Sequence, residues 1–155
     1  AVVSDITYIR TDEGFMYVSL VMDAYSRAIV GYDCSGSLAV EGSLGAMRMA
    51  IKQLGGRKNV IHHSDRGLQY CCGEYVGLLK GSGLSISMTQ ENHCYENASA
   101  ERLNGILKQE YGLGNCFSRK SEVAGALREA VELYNWRRPH QSLGYRVPME
   151  VHMAA

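Results

Sequence analysis

Three consecutive segments, 2–10, 15–23 and 27–34, alternate or run apolar and are rich in Val, Ile, Tyr and Thr, the composition and period of β-strands. Asp12-Glu13-Gly14 and Ala24-Tyr25-Ser26 interrupt them at turn-like positions, so the chain should open as a three-stranded antiparallel meander. Beyond it the period changes. Val40, Leu44, Met47, Ile51 and Leu54 recur at helical spacing within 39–54, and Gly55-Gly56 closes the segment. A short strand at 59–63, a helix near 69–80 and a strand at 84–88 follow. The polar stretch 89–97 has no period and is expected to be a mobile loop that orders on a ligand. Helices then cover 98–111 and 119–137, the second stopping before Pro139. The order βββαβαβαα predicts an α/β three-layer fold. Its mixed five-stranded sheet would have the first three strands antiparallel and helices flanking it.

At 155 residues with 46% apolar and 21% charged content, the chain suits one domain with a single sizeable core. No run of 18 or more apolar residues and no basic-then-apolar leader occurs, which argues against a membrane span and a signal peptide. Because AVVSDITYI already reads as a strand, the chain is expected to be an excised domain. Sixteen basic and sixteen acidic residues cancel, so global charge gives no argument for a nucleic-acid partner. The distribution says more: residues 102–146 hold eight Lys/Arg against four Glu, a possible basic surface. Five cysteines without a C-x-x-C pair predict reduced thiols in a cytosolic protein. Zinc on His62-His63 with Cys71-Cys72 is set aside, since neighbours on a strand point to opposite faces.

Three acids stand out. Asp5 falls in the middle of the first predicted strand, where a bare charge is expensive to bury. Asp65, in HHSDRGLQY, follows the fourth strand directly, at the end of a strand where open α/β sheets bind ligands. Glu101 opens a helix expected to be capped by Asn97 or Ser99. On that helix Ala100, Leu103, Leu107 and Tyr111 form the buried stripe, while Glu101, Asn104 and Lys108 share another. Taken singly, two of the acids have a plain structural reading, a turn with a salt bridge for Asp65 and a helix-dipole acid for Glu101, whereas Asp5 is harder to explain that way. Asp23 at the end of the second strand is expected to pair with Arg27 across the turn, as structure and not chemistry. Val123, Leu127, Val131 and Tyr134 form a packing stripe. Trp136, Arg137, Arg138 and His140 either line a nucleic-acid path or cap the helix end.

Taken together, the motifs carry a resemblance. Asp5 in SDITYI, Asp65 in HSDRGLQY and, after thirty-five intervening residues, Glu101 resemble the D…D-x35-E pattern of insertion-sequence transposases with a retroviral-integrase-like core. DAYSRAIVG at 23–31, SMTQENHCYENASAERLNGILKQE at 87–110 and YNWRRPHQSLGYRVP at 134–148 extend it over almost the whole chain. Glu96 stands where that family more often has Asp, and Leu68 where a smaller residue is commoner. The resemblance implies a ribonuclease-H-like fold for residues 1–155 as one catalytic core, without the upstream region that binds DNA ends. It implies Asp5, Asp65 and Glu101 as catalytic and metal-holding residues, with two Mg²⁺ or Mn²⁺ ions per site, Asp5 bridging both. Lys108 would contact a DNA phosphate; Asn104, Arg66, Arg137 and Arg138 are further candidate DNA contacts. The implied activity is metal-dependent cleavage of DNA and joining through a 3′-hydroxyl, by a homo-oligomer acting on element ends and target DNA in the bacterial cytoplasm. A metal-dependent nuclease on the same fold and a non-catalytic DNA-binding or assembly module are the alternatives.

Overall fold

The computed structural model describes residues 1–57, 59–64, 68–88 and 93–155, the side chains of 68, 88 and 93–97 excepted. Its sheet has the order β3-β2-β1-β4-β5, built from Val2–Thr11 (β1), Gly14–Asp23 (β2), Ile29–Ser35 (β3), Ile61–Ser64 (β4) and Ser85–Met88 (β5). The first three pair antiparallel, and β4 then lies parallel to both β1 and β5. A two-residue turn joins β1 to β2, with the Thr11 hydroxyl donating to the Gly14 carbonyl at 2.6 Å. The expected mixed five-stranded sheet is the one observed.

Strand alternation sorts the side chains into two cores. On one face Val2, Val21 and Val30 pack under Val40–Leu54 (α1) and Gly73–Gly81 (α3), with Met47, Ala50, Tyr75 and Leu79 closing the layer. On the other, Ile9, Val18, Leu20 and Met22 meet His93–Glu110 (α4) and Val123–Arg137 (α5) through Leu103, Leu107, Val123, Leu127, Val131 and Tyr134. The stripes expected on α4 and α5 therefore face the core, with Ile106 added. α1 sits against the sheet at Gly31, where any Cβ would collide with the Ala46 carbonyl.

Several expectations need correction. The helix near 69–80 is two pieces, Leu68–Cys71 (α2) and α3, because Cys72 between them is extended. α4 begins at His93, so residues 93–97 are helix and not loop, and neither Asn97 nor Ser99 is its cap; 89–92 lie outside the described residues. Ser99 instead accepts a hydrogen bond from Arg27 Nη1 at 2.9 Å. Asp23 does not pair with the Arg27 side chain. Its Oδ2 accepts from Ser26 Oγ at 2.7 Å and lies 3.3 Å from His152 Nδ1, all three residues being buried. His152 belongs to Pro148–Ala154 (α6), a helix beyond the expected elements, with proline in its first turn. Arg27 turns the chain from β2 to β3 with φ 66°. Tyr134 donates to its carbonyl at 2.8 Å, and the Asn135 amide clamps both backbone groups of Ile29 at 2.8 and 2.9 Å. These bonds explain why the Tyr-Asn pair of YNWRRPH stands where it does.

Candidate active site

Asp5 sits on the α4 side of β1, in register with Leu20, and is half-buried. A carboxylate there needs polar company. Asn104 supplies it: Nδ2 donates to Asp5 Oδ2 at 2.9 Å, tying the middle of α4 to the middle of β1. Glu101, exposed, lies three positions before Asn104 on α4, and Lys108 four positions after it, the spacing that puts side chains on one stripe. Lys108 reaches the sheet as well, its ammonium 5.0 Å from the centroid of the Tyr8 ring. The stripe is thus aligned with the strand that carries Asp5.

β4 approaches from the other side. Val2 pairs with His62 and Val3 with His63, both parallel. Beneath, His62 is fixed by a buried polar triangle: Nε2 lies 2.8 Å from Ser4 Oγ and 2.9 Å from Tyr75 OH. Burial pushes the His62 imidazole down to about 4, helped by His63, and pushes the Tyr75 phenol up to about 12. This neutral triangle joins the residue before Asp5 to the strand that leads to Asp65. Sequence reading missed it, although Ser4 and His62, polar residues set among strand apolar ones, were its signal. β4 ends at Ser64; Asp65 and Arg66 lie outside the described residues.

Asp5, Asn104 and Glu101 offer oxygen donors only, a set suited to a hard divalent cation and not to zinc. Asn104 spends its amide nitrogen on Asp5 while its Oδ1, buried, meets no donor among the described residues. A lone pair left over beside a carboxylate fits a hydrated cation. Among the described residues no group of three or more His, Cys, Asp or Glu could hold a metal ion, and Asp65 is not one of these residues.

Of the remaining candidates, Arg138 forms a two-pronged pair with Glu110, Nε to Oε2 at 2.7 Å and Nη2 to Oε1 at 3.3 Å. It shares a cleft of about 550 Å³ with Glu101, Arg102 and Gln109. Arg137 lines a different one, with Glu129, Leu133 and the half-exposed Trp136. His140 is buried against Tyr134 and held neutral; burial pushes it down to about 4, and Arg138, Arg102 and Arg27 add to the effect.

The strand order, the two helical layers and the acid on the central strand define a ribonuclease-H-like integrase core. Residues 1–94 match the family described as integrase core domain, and residues 82–148 match a second family of the same description. The chain belongs to the integrase core domain family. It is 37% identical over 143 residues to the insertion element IS600 uncharacterized 31 kDa protein of Shigella sonnei, covering 92% of this chain and 53% of that protein. It is 38% identical over 136 residues to the transposase InsF for insertion sequence IS3A of Escherichia coli K12, covering 86% and 47%. The chain therefore spans about half the length of the curated relatives it matches. Among solved structures, the HTLV-2 integrase catalytic core in complex with magnesium superposes with a TM-score of 0.76 at 18% identity, over 97% of this chain and 94% of that one. A chain of the simian T-cell lymphotropic virus intasome in complex with PP2A regulatory subunit B56 gamma gives 0.79 at 18%, over 97% and 53%. At that identity the likeness concerns the fold. Among the described residues no helix is long and apolar enough to cross a membrane.

Proposed function

We propose that this chain is the catalytic core of a DNA transposase, a polynucleotidyl transferase that cuts DNA strands and joins a 3′-hydroxyl to a phosphodiester. The observation that carries the reading is the Asn104–Asp5 hydrogen bond, which lays the helix bearing Glu101 along the strand bearing Asp5. Asp65 follows the parallel strand next to β1 in sequence and is the proposed third acid. Two Mg²⁺ or Mn²⁺ ions, when bound, would supply the positive charge that activates the attacking oxygen and steadies the leaving one. The work of the chain is to present the acids. β1, paired on both sides at Val2 and Val3, holds Asp5 rigidly, and Asn104 fixes its rotamer by engaging Oδ2. Lys108, Arg66, Arg137 and Arg138 are the proposed phosphate contacts. They position DNA without reading its sequence. Element-end and target DNA as partners, a homo-oligomer to bring two ends together, and a cytoplasmic, DNA-associated location belong to the same proposal.

The test is joining of a labelled element end into plasmid DNA with Mg²⁺ or Mn²⁺. Asp5→Asn, Asp65→Asn and Glu101→Gln should each abolish joining while far-UV circular dichroism and the melting temperature stay near wild type. A folded Asp65→Asn protein that joins at the wild-type rate sinks the assignment. Cutting without joining would move the reading to a nuclease.

A further inference from the structure

Tyr8 and Phe15 are 54% and 48% exposed, yet they are packed on each other edge to face with ring centroids 5.2 Å apart. They are diagonal neighbours on the β1–β2 hairpin, since Tyr8 pairs with Tyr17 and Arg10 with Phe15. Neither joins the core clusters on the two faces of the sheet. Single exposed apolar residues are ordinary on a protein surface; two rings locked together with cations beside them are not explained that way. One cation is Lys108, 5.0 Å from the centroid of Tyr8 and one turn along α4 from the residue that holds Asp5. The other is Arg10, exposed and directly opposite Phe15.

Among the described residues the edge of β1 has no strand partner at this place. β4 pairs only with Val2 and Val3, and among the described residues no strand continues on that side until the single bridge from Thr11 to Phe117. The stretch from Ser4 to Ile9 is therefore a rim with Asp5 at one end and Tyr8 three residues along, roughly 10 Å away at the rise of a strand. Alternation turns Tyr8 to the opposite face from Asp5, and Lys108 reaches it from the α4 side. Aromatic faces flanked by Lys and Arg are what an unpaired nucleic-acid strand requires: bases stack on the rings and phosphates meet the cations.

We propose that Tyr8 and Phe15, with Lys108 and Arg10, form a stacking platform for an unpaired nucleobase of the DNA strand that lies in the active site, a proposal that rests on the transposase reading. A base settling on the Tyr8 ring takes the place of the ammonium, which turns on its flexible stem to the phosphate beside that base. Duplex DNA offers no free base face, so the platform favours frayed or overhanging ends over intact duplex.

The experiment places 2-aminopurine at successive positions of a single-stranded overhang on a duplex and follows its fluorescence with this chain in EDTA, so that no chemistry runs. Wild type and Tyr8→Phe should quench the probe at one or two positions. Tyr8→Ala, Phe15→Ala and Tyr8→Leu should lose the quenching and bind the overhang roughly ten-fold more weakly, the size of one lost base–aromatic stack, with unchanged affinity for blunt duplex. Both side chains are half-exposed, so melting curves should match wild type. Unchanged quenching in Tyr8→Ala and Phe15→Ala overturns the platform, as does wild type that quenches at no position. Joining assays score the transposase reading separately: wild type that joins DNA while Tyr8→Ala still quenches fully keeps the activity and loses the platform. Quenching lost in Tyr8→Ala, with a wild type that fails to join DNA whichever divalent ion is added, keeps the platform and loses the activity.

Discussion

Asn104 is the residue on which the site turns. Its amide nitrogen meets one oxygen of Asp5 at 2.9 Å, a hydrogen bond to a charged group of the kind that contributes about 1.5–3 kcal/mol. Asn104→Ala should lower the joining rate by roughly ten- to a hundred-fold, the kinetic equivalent of that energy, while the chain still folds. Asn104→Asp should be worse, because it sets a second carboxylate against Asp5; comparing the two rates checks whether the amide acts as donor. His62 offers a prediction on stability. In the fold it is pushed down to about 4, against about 6.5 in an unfolded chain. Between those values the unfolded state binds the extra proton, so stability is complete above about pH 6.5 and falls as pH drops towards 4, by up to about 3 kcal/mol. Denaturant midpoints measured from pH 7 to pH 4 check it, and His62→Gln should flatten the slope; an unchanged slope would show that another group titrates.

Among the elements, α6 and the β2–β3 turn depend on one buried anion. Burial by itself would raise the Asp23 pKa, but hydrogen bonds from Ser26 and His152 outweigh it and hold the carboxyl below its ordinary 3.8. Its contribution is present above the unfolded value and is lost as pH falls through the folded one. Asp23→Ala should destabilise the protein by about 1–3 kcal/mol, since it strands the partners in the core. Faster amide exchange confined to residues 24–28 and 148–154 is the local readout, and uniform exchange across the sheet would count against it. Gly31→Ala tests α1 in the same way. The new methyl meets the Ala46 carbonyl, and overpacking of that kind typically costs about 1–3 kcal/mol, to be read from the urea midpoint. Elements were legible where the period was long: ten-residue β1 and β2 and the fifteen-residue α1 and α5 lie close to where alternation and helical spacing put them. The break at Cys72, the early start of α4 and the existence of α6 were not; α6 is held by contacts distant in sequence, His152 with Asp23 and its carbonyl with Arg57.

As a whole molecule, the chain carries no net charge. Affinity for DNA must then come from local cations, and it should be weak and salt-sensitive, with a log–log slope that reports only a few phosphate contacts. Titration of a random duplex at several salt concentrations measures that slope; a slope as steep as ten contacts would contradict it. Removing divalent ions with EDTA should stop joining without unfolding the chain, and added Mn²⁺ should restore it. The amino-acid sequence alone determined the five strands and their order, the two packing stripes and the spacing of the three acids, since strand and helix periods and the distances between motifs are local properties of a chain. Only the tertiary structure decided which partner each polar group met: Asn104 for Asp5, His152 for Asp23, Glu110 for Arg138. Hydrogen bonds of this kind join residues 28 to 129 positions apart. No local period encodes such pairings, because they exist only once the two cores have closed and each buried charge has found a donor.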